Sequence, residues 1–144
     1  MVGSFERILL PVGLRSLTPR LVDSLTHLAS GRSVQVTLLH VVETIDDGEE
    51  DDEDLDDFYE DLKQRAQSEL DTFVRHLAAR GIQPQIEITI GQRVSSVIRY
   101  ASREQFDLIV IEPDAINPES PQDAFTSRAH QVSVLAPCPV LVIR

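Results

Sequence analysis

Short apolar runs and helical periodicities alternate along this chain. Residues 5–12, FERILLPV, are apolar and rich in branched side chains, and they end at Pro11 and Gly13, where the backbone must turn. They predict a buried first strand. Thr18 followed by Pro19 reads as an N-cap with proline at the first helical position, and Leu21, Val22, Leu25, Leu28 and Ala29 recur at helical spacing until Gly31 supplies a stop. Residues 34–42, VQVTLLHVV, are β-branched and mostly apolar, as a parallel strand covered on both faces requires. A stretch of like charges then predicts a mobile loop over residues 44–54. From Leu55 the positions Phe58, Tyr59, Leu62, Ala66, Leu70, Phe73, Val74, Leu77 and Ala78 hold a helical period, with Gly81 as the stop signal.

Ile86, Ile88 and Ile90 alternate with Glu87 and Thr89, the pattern of a strand with one wetter face, which places it at a sheet edge. Val94, Val97, Ile98 and Ala101 predict a helix, and residues 106–111, FDLIVI, another buried strand. Residues 112–123 hold Pro113, Pro118 and Pro121 among Asp, Asn, Glu and Ser, so they read as a loop without helix. Residues 124–135 predict a last helix, and Val140 to Ile143 a last strand behind Pro137 and Pro139. The alternation β-α-β-α-β-α-β-α-β with right-handed crossovers gives an α/β fold, an open five-stranded parallel sheet with helices on both faces. Ligands of such sheets sit beyond the carboxyl ends of the strands, here at the loops after Val12, Val42 and Ile111.

Composition narrows the class. With 144 residues, 42% of them apolar and 26% charged, one globular domain over residues 1–144 is expected. The lone Cys138 forms no disulfide within the chain and MVGSFER lacks a signal-peptide pattern, so the expected location is the cytoplasm. No apolar run reaches the ~20 residues of a bilayer span. The net charge of −11 is local: residues 46–61 hold 12 of the 24 acids and no base, leaving 12 acids against 13 bases elsewhere. A near-neutral body without a basic stripe and with no Trp argues against a nucleic-acid partner.

Candidate chemistry is sparse. Phosphate-cradling loops need glycine, but the six glycines are 3, 13, 31, 48, 81 and 91, and neither GxGxxG nor GxxxxGK[ST] occurs. Glu112 and Asp114 put negative charge in the loop after Ile111. His27, His40, His76 and His130 lack metal-ligand spacing, and Asp46, Asp47 and Gly48 fail the spacing of a calcium loop, so no metal site is expected. His40 reads as a satisfied structural histidine and Cys138 as an inert buried thiol. No GxSxG elbow supports a hydrolase.

Four segments, ERILLPV, VTLLHVVE, IGQRVSSVIRYASREQFDLIVIE and TSRAHQVSVLAPCPVLVIR, together resemble the universal stress protein family over nearly the whole chain. The resemblance implies a Rossmann-like sheet of order 3-2-1-4-5, as in adenine nucleotide alpha hydrolase-like folds. It also lets the ATP-binding pattern of some members be checked. Pro11 and Val41 match positions around the adenosine pocket, but the acid usual at the end of the first strand falls on Gly13. The family's G-x2-G-x9-G-[ST] loop is replaced by EPDAINPESPQDAF, and its final Gly-Ser becomes Thr126-Ser127. Pro11, Val41, Thr126 and Ser127 are thus vestigial candidates, and each has a structural alternative: Pro11 ends a strand, Val41 is core, Ser127 caps the last helix.

The resemblance implies a cytoplasmic homodimer acting through an unidentified protein partner in a stress response, with no catalysis and no bound ATP. The alternative is a divergent nucleotide binder in which Thr126, Ser127 and the start of the last helix hold a phosphate. A nucleotide α-hydrolase would need SGGxDS or HxGH, and both are absent. In the implied strand order Val140, Leu141, Val142 and Ile143 form an edge strand, whose apolar run invites antiparallel pairing with a second copy.

Overall fold

A computed structural model describes residues 5–13, 18–30, 33–44, 53–113 and 118–144, the side chains of residues 53–54 excepted. The elements are β1 (Arg7–Pro11), α1 (Pro19–Ala29), β2 (Gln35–Glu43), α2 (Glu53–Ala78), β3 (Gln85–Gly91), α3 (Arg93–Arg103), β4 (Leu108–Ile111), a 3₁₀ helix (Pro121–Thr126), α4 (Arg128–Leu135) and β5 (Val140–Val142). The five strands form one parallel sheet in the order β3-β2-β1-β4-β5. Sheet class, strand order and the edge position of β3 agree with the sequence reading.

The period of two along each strand sorts its side chains between two cores. Ile8 and Leu10 of β1, Val36 and Leu38 of β2, and Leu108 and Val110 of β4 pack with Leu21, Val22 and Leu25 of α1 and Leu70, Phe73 and Leu77 of α2. Leu9, Leu39, Val41, Ile109 and Ile111 point the other way, onto Val97 and Ala101 of α3 and Ala129 and Val132 of α4. Two helices therefore cover each face, which is why the central strands read as unbroken apolar runs.

Local signals act as their chemistry dictates. Thr18 caps α1, its Oγ1 accepting from Leu21 N at 3.2 Å, with Pro19 in the first turn. Gly81, at φ +85°, ends α2: Gly81 N donates to Ala78 O and Ile82 N to Leu77 O, the paired bonds of a Schellman turn. His40 is buried and its Nδ1 donates to Val12 O at 2.9 Å, bracing the end of β1. Among the described residues no buried side-chain polar atom lacks a partner.

The boundaries need correction. The last helix begins at Arg128, not at residue 124, and residues 121–126, read as part loop and part α-helix, form the 3₁₀ helix. The reason is Ser127, whose extended backbone (ψ 150°) interrupts the helical path and whose hydroxyl caps α4. The expected mobile loop over 44–54 is too wide at both ends. Thr44 N donates to Gly91 O at 3.2 Å, prolonging the β2–β3 ladder, and α2 starts at Glu53, two residues before Leu55. The rest of that loop, residues 45–52, and the stop expected at Gly31 lie outside the described residues. Strands β1, β4 and β5 are shorter than their apolar runs, with β5 spanning three residues. Cys138 is half-buried rather than buried.

Candidate functional site

The chain winds outward from β1 to β2 and β3, then returns to place β4 and β5 on the other side of β1. The switch in direction lies between β1 and β4, and the crevice beyond their carboxyl ends is where this architecture accepts ligands. Of the described residues, Val12 and Gly13 after β1, Thr18 at the start of α1, and Glu112 and Pro113 after β4 stand at that end of the sheet.

A carboxylate bridges that crevice. Glu112, the first residue after β4, accepts at Oε1 from Thr18 Oγ1 at 2.9 Å and from Thr18 N at 3.4 Å. Because Thr18 Oγ1 also accepts from Leu21 N, the hydroxyl relays the helix's amide to the carboxylate. The anion thus sits at the positive end of α1, where it interacts favourably with the helix dipole. Position 13 stays open: a Cβ added to Gly13 would meet no atom within 4 Å. Space alone therefore does not forbid an acidic side chain there.

The structure scatters the four sequence candidates. Pro11 ends β1 opposite Leu39, and Val41 is 4% exposed within the α3/α4 core. Thr126 closes the 3₁₀ helix, its Oγ1 donating to Asp123 O at 3.0 Å. Ser127 Oγ donates to Ala124 O at 2.7 Å and accepts from His130 N at 3.2 Å. That hydroxyl's single proton is committed to closing the 3₁₀ helix and it already caps α4, so Ser127 has an intramolecular role at the place where a phosphate contact was sought. Asp114 lies outside the described residues.

Two features were not legible in the sequence. One is the Glu112–Thr18 bridge, which joins residues far apart in the chain. The other is a charged trio on the same end of the sheet: Glu43 Oε1, at the end of β2, lies 3.5 Å from Arg93 Nε and 3.4 Å from Arg128 Nη2. Among the described residues no group of three or more His, Cys, Asp or Glu is placed to hold a metal ion. No described helix is long and apolar enough to cross a membrane.

Comparison with known proteins agrees with this architecture. Residues 4–144 match the family model described as the universal stress protein family. Universal stress protein YxiE of Bacillus subtilis (strain 168) is 22% identical, over 97% of this chain and 99% of its own. The universal stress protein UspA from Lactobacillus plantarum superposes with a TM-score of 0.75 at 24% identity, covering 99% of both chains. The universal stress protein from Archaeoglobus fulgidus in complex with dAMP gives a TM-score of 0.64 at 19% identity, covering 99% of this chain and all of the other. At these identities the structural likenesses establish the shared Rossmann-like fold.

Proposed function

The chain belongs to the universal stress protein family, and from that premise we propose that it is a non-catalytic regulatory domain that engages another protein in a stress response without holding ATP. The observation that carries the reading is the Glu112–Thr18 bridge. It places a fixed negative charge, already paired with the amide end of α1, at the mouth of the switch-point crevice where the phosphate loop of nucleotide-binding relatives would begin. A polyphosphate entering there would meet like charge and compete with an intramolecular acceptor. The absence of glycine after Gly91 supports the same reading, since side chains keep backbone amides away from an anion.

In this reading the 144 residues are one domain, cytoplasmic, and paired as a homodimer through the outer edge of β5. Leu141 and Val142 on that strand are each 37% exposed, and Val134 and Leu135 at the end of α4 are more exposed still. The antiparallel pairing of two such edges would satisfy backbone groups that a terminal strand leaves open.

A second reading rests on the Archaeoglobus relative solved with dAMP and on Thr126 and Ser127 standing at the start of α4, as in a divergent nucleotide site. Isothermal titration with ATP and Mg²⁺ decides between them. The first reading expects no saturable heat through the micromolar range; micromolar affinity would establish the second.

A further inference from the structure

The two edges of the sheet are guarded unequally. β5 spans three residues behind Pro137 and Pro139, whereas β3 spans seven, holds no proline or base, and among the described residues pairs with β2 alone. Thr44 N donates to Gly91 O, so the odd-numbered residues of β3 bond to β2. By the alternation of a parallel ladder, Ile86, Ile88 and Ile90 direct their amides and carbonyls to the open edge. The side chains of the same three residues lie on the α1/α2 face, and none is fully covered: Ile86 and Ile88 are half-buried and Ile90 is 38% exposed. A long edge strand with an incomplete apolar cover is a template for one more strand.

Charge decides what that strand carries. β2 leads up to α2 and α2 returns to β3, so the start of α2 stands at the sheet end where β3 finishes. With 26 residues α2 is about 39 Å long, against about 23 Å for the seven of β3, so its first turns reach past Gly91. There Asp56, Asp57, Glu60 and Asp61 are exposed around the 43% exposed ring of Phe58, and no base precedes Lys63 in the helix. Arg93, the first base after β3, faces Glu43. A second copy would bring another net charge of −11, whereas a cationic segment complements these acids. We propose that the outer edge of β3 takes an extended segment of a partner protein, antiparallel, with apolar residues opposite Ile86, Ile88 and Ile90 and a cluster of Lys and Arg reaching the start of α2. This rests on the reading that the domain engages another protein, and it gives that engagement a surface.

The test titrates the peptide Lys-Arg-Lys-Arg-Val-Ser-Val-Ser-Val, blocked at both ends, into the full chain. Paired antiparallel, it sets its basic end beside α2 and its valines opposite the three isoleucines. Fluorescence anisotropy is expected to show saturable binding with a Kd on the order of tens of micromolar, and NMR to show shifts of the Ile86, Ile88 and Ile90 amides. N-methylation of the valines, whose amides face β3, is expected to abolish binding, and N-methylation of the serines, whose amides face outward, to spare it. Ile90→Lys, or Asp56→Lys together with Asp57→Lys, is expected to weaken binding about tenfold. Glu69→Lys, exposed farther along α2, should leave it unchanged. Unaltered melting temperatures show that each variant is folded. Absence of saturable binding, equal binding of the two methylated peptides, affinity that survives the Ile90 and Asp56/Asp57 changes, or shifts at Leu141 and Val142 instead of β3 overturns the proposal. ATP titrated into the same samples keeps the two readings apart. ATP binding with the peptide still paired overturns the nucleotide-free reading and supports the edge; flat ATP titrations with no peptide binding overturn the edge alone.

Discussion

Gln105 adopts at the end of α3 the left-handed turn that Gly81 adopts at the end of α2. Its φ is 55°, Gln105 N donates to Ser102 O and Phe106 N donates to Ala101 O, the same pair of bonds that Gly81 and Ile82 make to Ala78 and Leu77. In both turns the residue that follows, Phe106 or Ile82, is buried. The apolar contact behind the turn thus holds Gln105 in a conformation that a side chain disfavours.

Exchanging the residue types tests this. Gln105→Gly relieves the strained backbone and is expected to stabilise the fold by about 0.5–1 kcal/mol, while Gly81→Ala, forced to φ +85°, is expected to destabilise it by about 1 kcal/mol. Urea unfolding measures both. Equal effects of the two substitutions in one direction would contradict the shared geometry.

The Glu112–Thr18 bridge is expected to appear as an energetic coupling. A cycle of Glu112→Ala, Thr18→Val and the double variant should give about 0.5–1.5 kcal/mol of interaction, since each single variant removes the exposed bond from the Thr18 hydroxyl to the Glu112 carboxylate. Additive effects would show that the two side chains do not depend on one another.

Restoring glycines alone is not expected to create an ATP site. Ala115→Gly together with Pro118→Gly leaves Glu112, Asp114 and Gly13 in place, so titration with ATP and Mg²⁺ should remain flat. Tight binding from those two changes would mean that the acids matter less than their charge suggests.

The β5 edge has a substitution that separates dimer from fold. Ile109 N donates to Pro139 O and Ile143 N to Ile111 O, so odd-numbered residues of this segment face β4. By the alternation of a parallel ladder, Val140 and Val142 direct their backbone groups away from it, toward the free edge. Val142→Pro removes an outward donor and leaves the β4 ladder intact. Sedimentation should find a dimeric wild type and a variant shifted to monomer or aggregate; a wild type that stays monomeric at tens of micromolar refutes edge pairing.

Cys138 is expected to be a slow nucleophile. Burial first, and the negative charge of Asp107 second, raise its pKa above the ordinary thiol value. The thiolate fraction at pH 8 is therefore lower than in an unfolded peptide. Iodoacetamide should label the native chain more slowly than the urea-unfolded chain, and faster labelling of the native state would contradict the assignment.

What the sequence made legible was what neighbouring residues decide. Thr18-Pro19 announced a helix start, Gly81 a helix stop, and the branched runs of β1, β2 and β4 a doubly covered sheet, because each is a local preference that tertiary packing happens to reinforce. The turn at Gln105 escaped because no glycine marks it and burial of Phe106 supplies the reason. The 3₁₀ helix at 121–126 escaped because proline at its first position looks the same in a loop. The bridge from Glu112 to Thr18 and the trio of Glu43, Arg93 and Arg128 depend on strand order, which brings distant positions to one end of the sheet, and no spacing in a single chain encodes that.

Leu9 and Leu10 are neighbours in the chain, yet they belong to different interiors. The sheet between them works as a partition. A side chain shortened on the α1/α2 side leaves its void among those helices and the strand residues facing them, and void costs depend on how nearby atoms collapse. The helices that carry Arg93 and Arg128 stand on the far side, so damage there reaches them only through the shared strand backbones. One half of the molecule can drift in sequence while the other keeps its surface geometry in register.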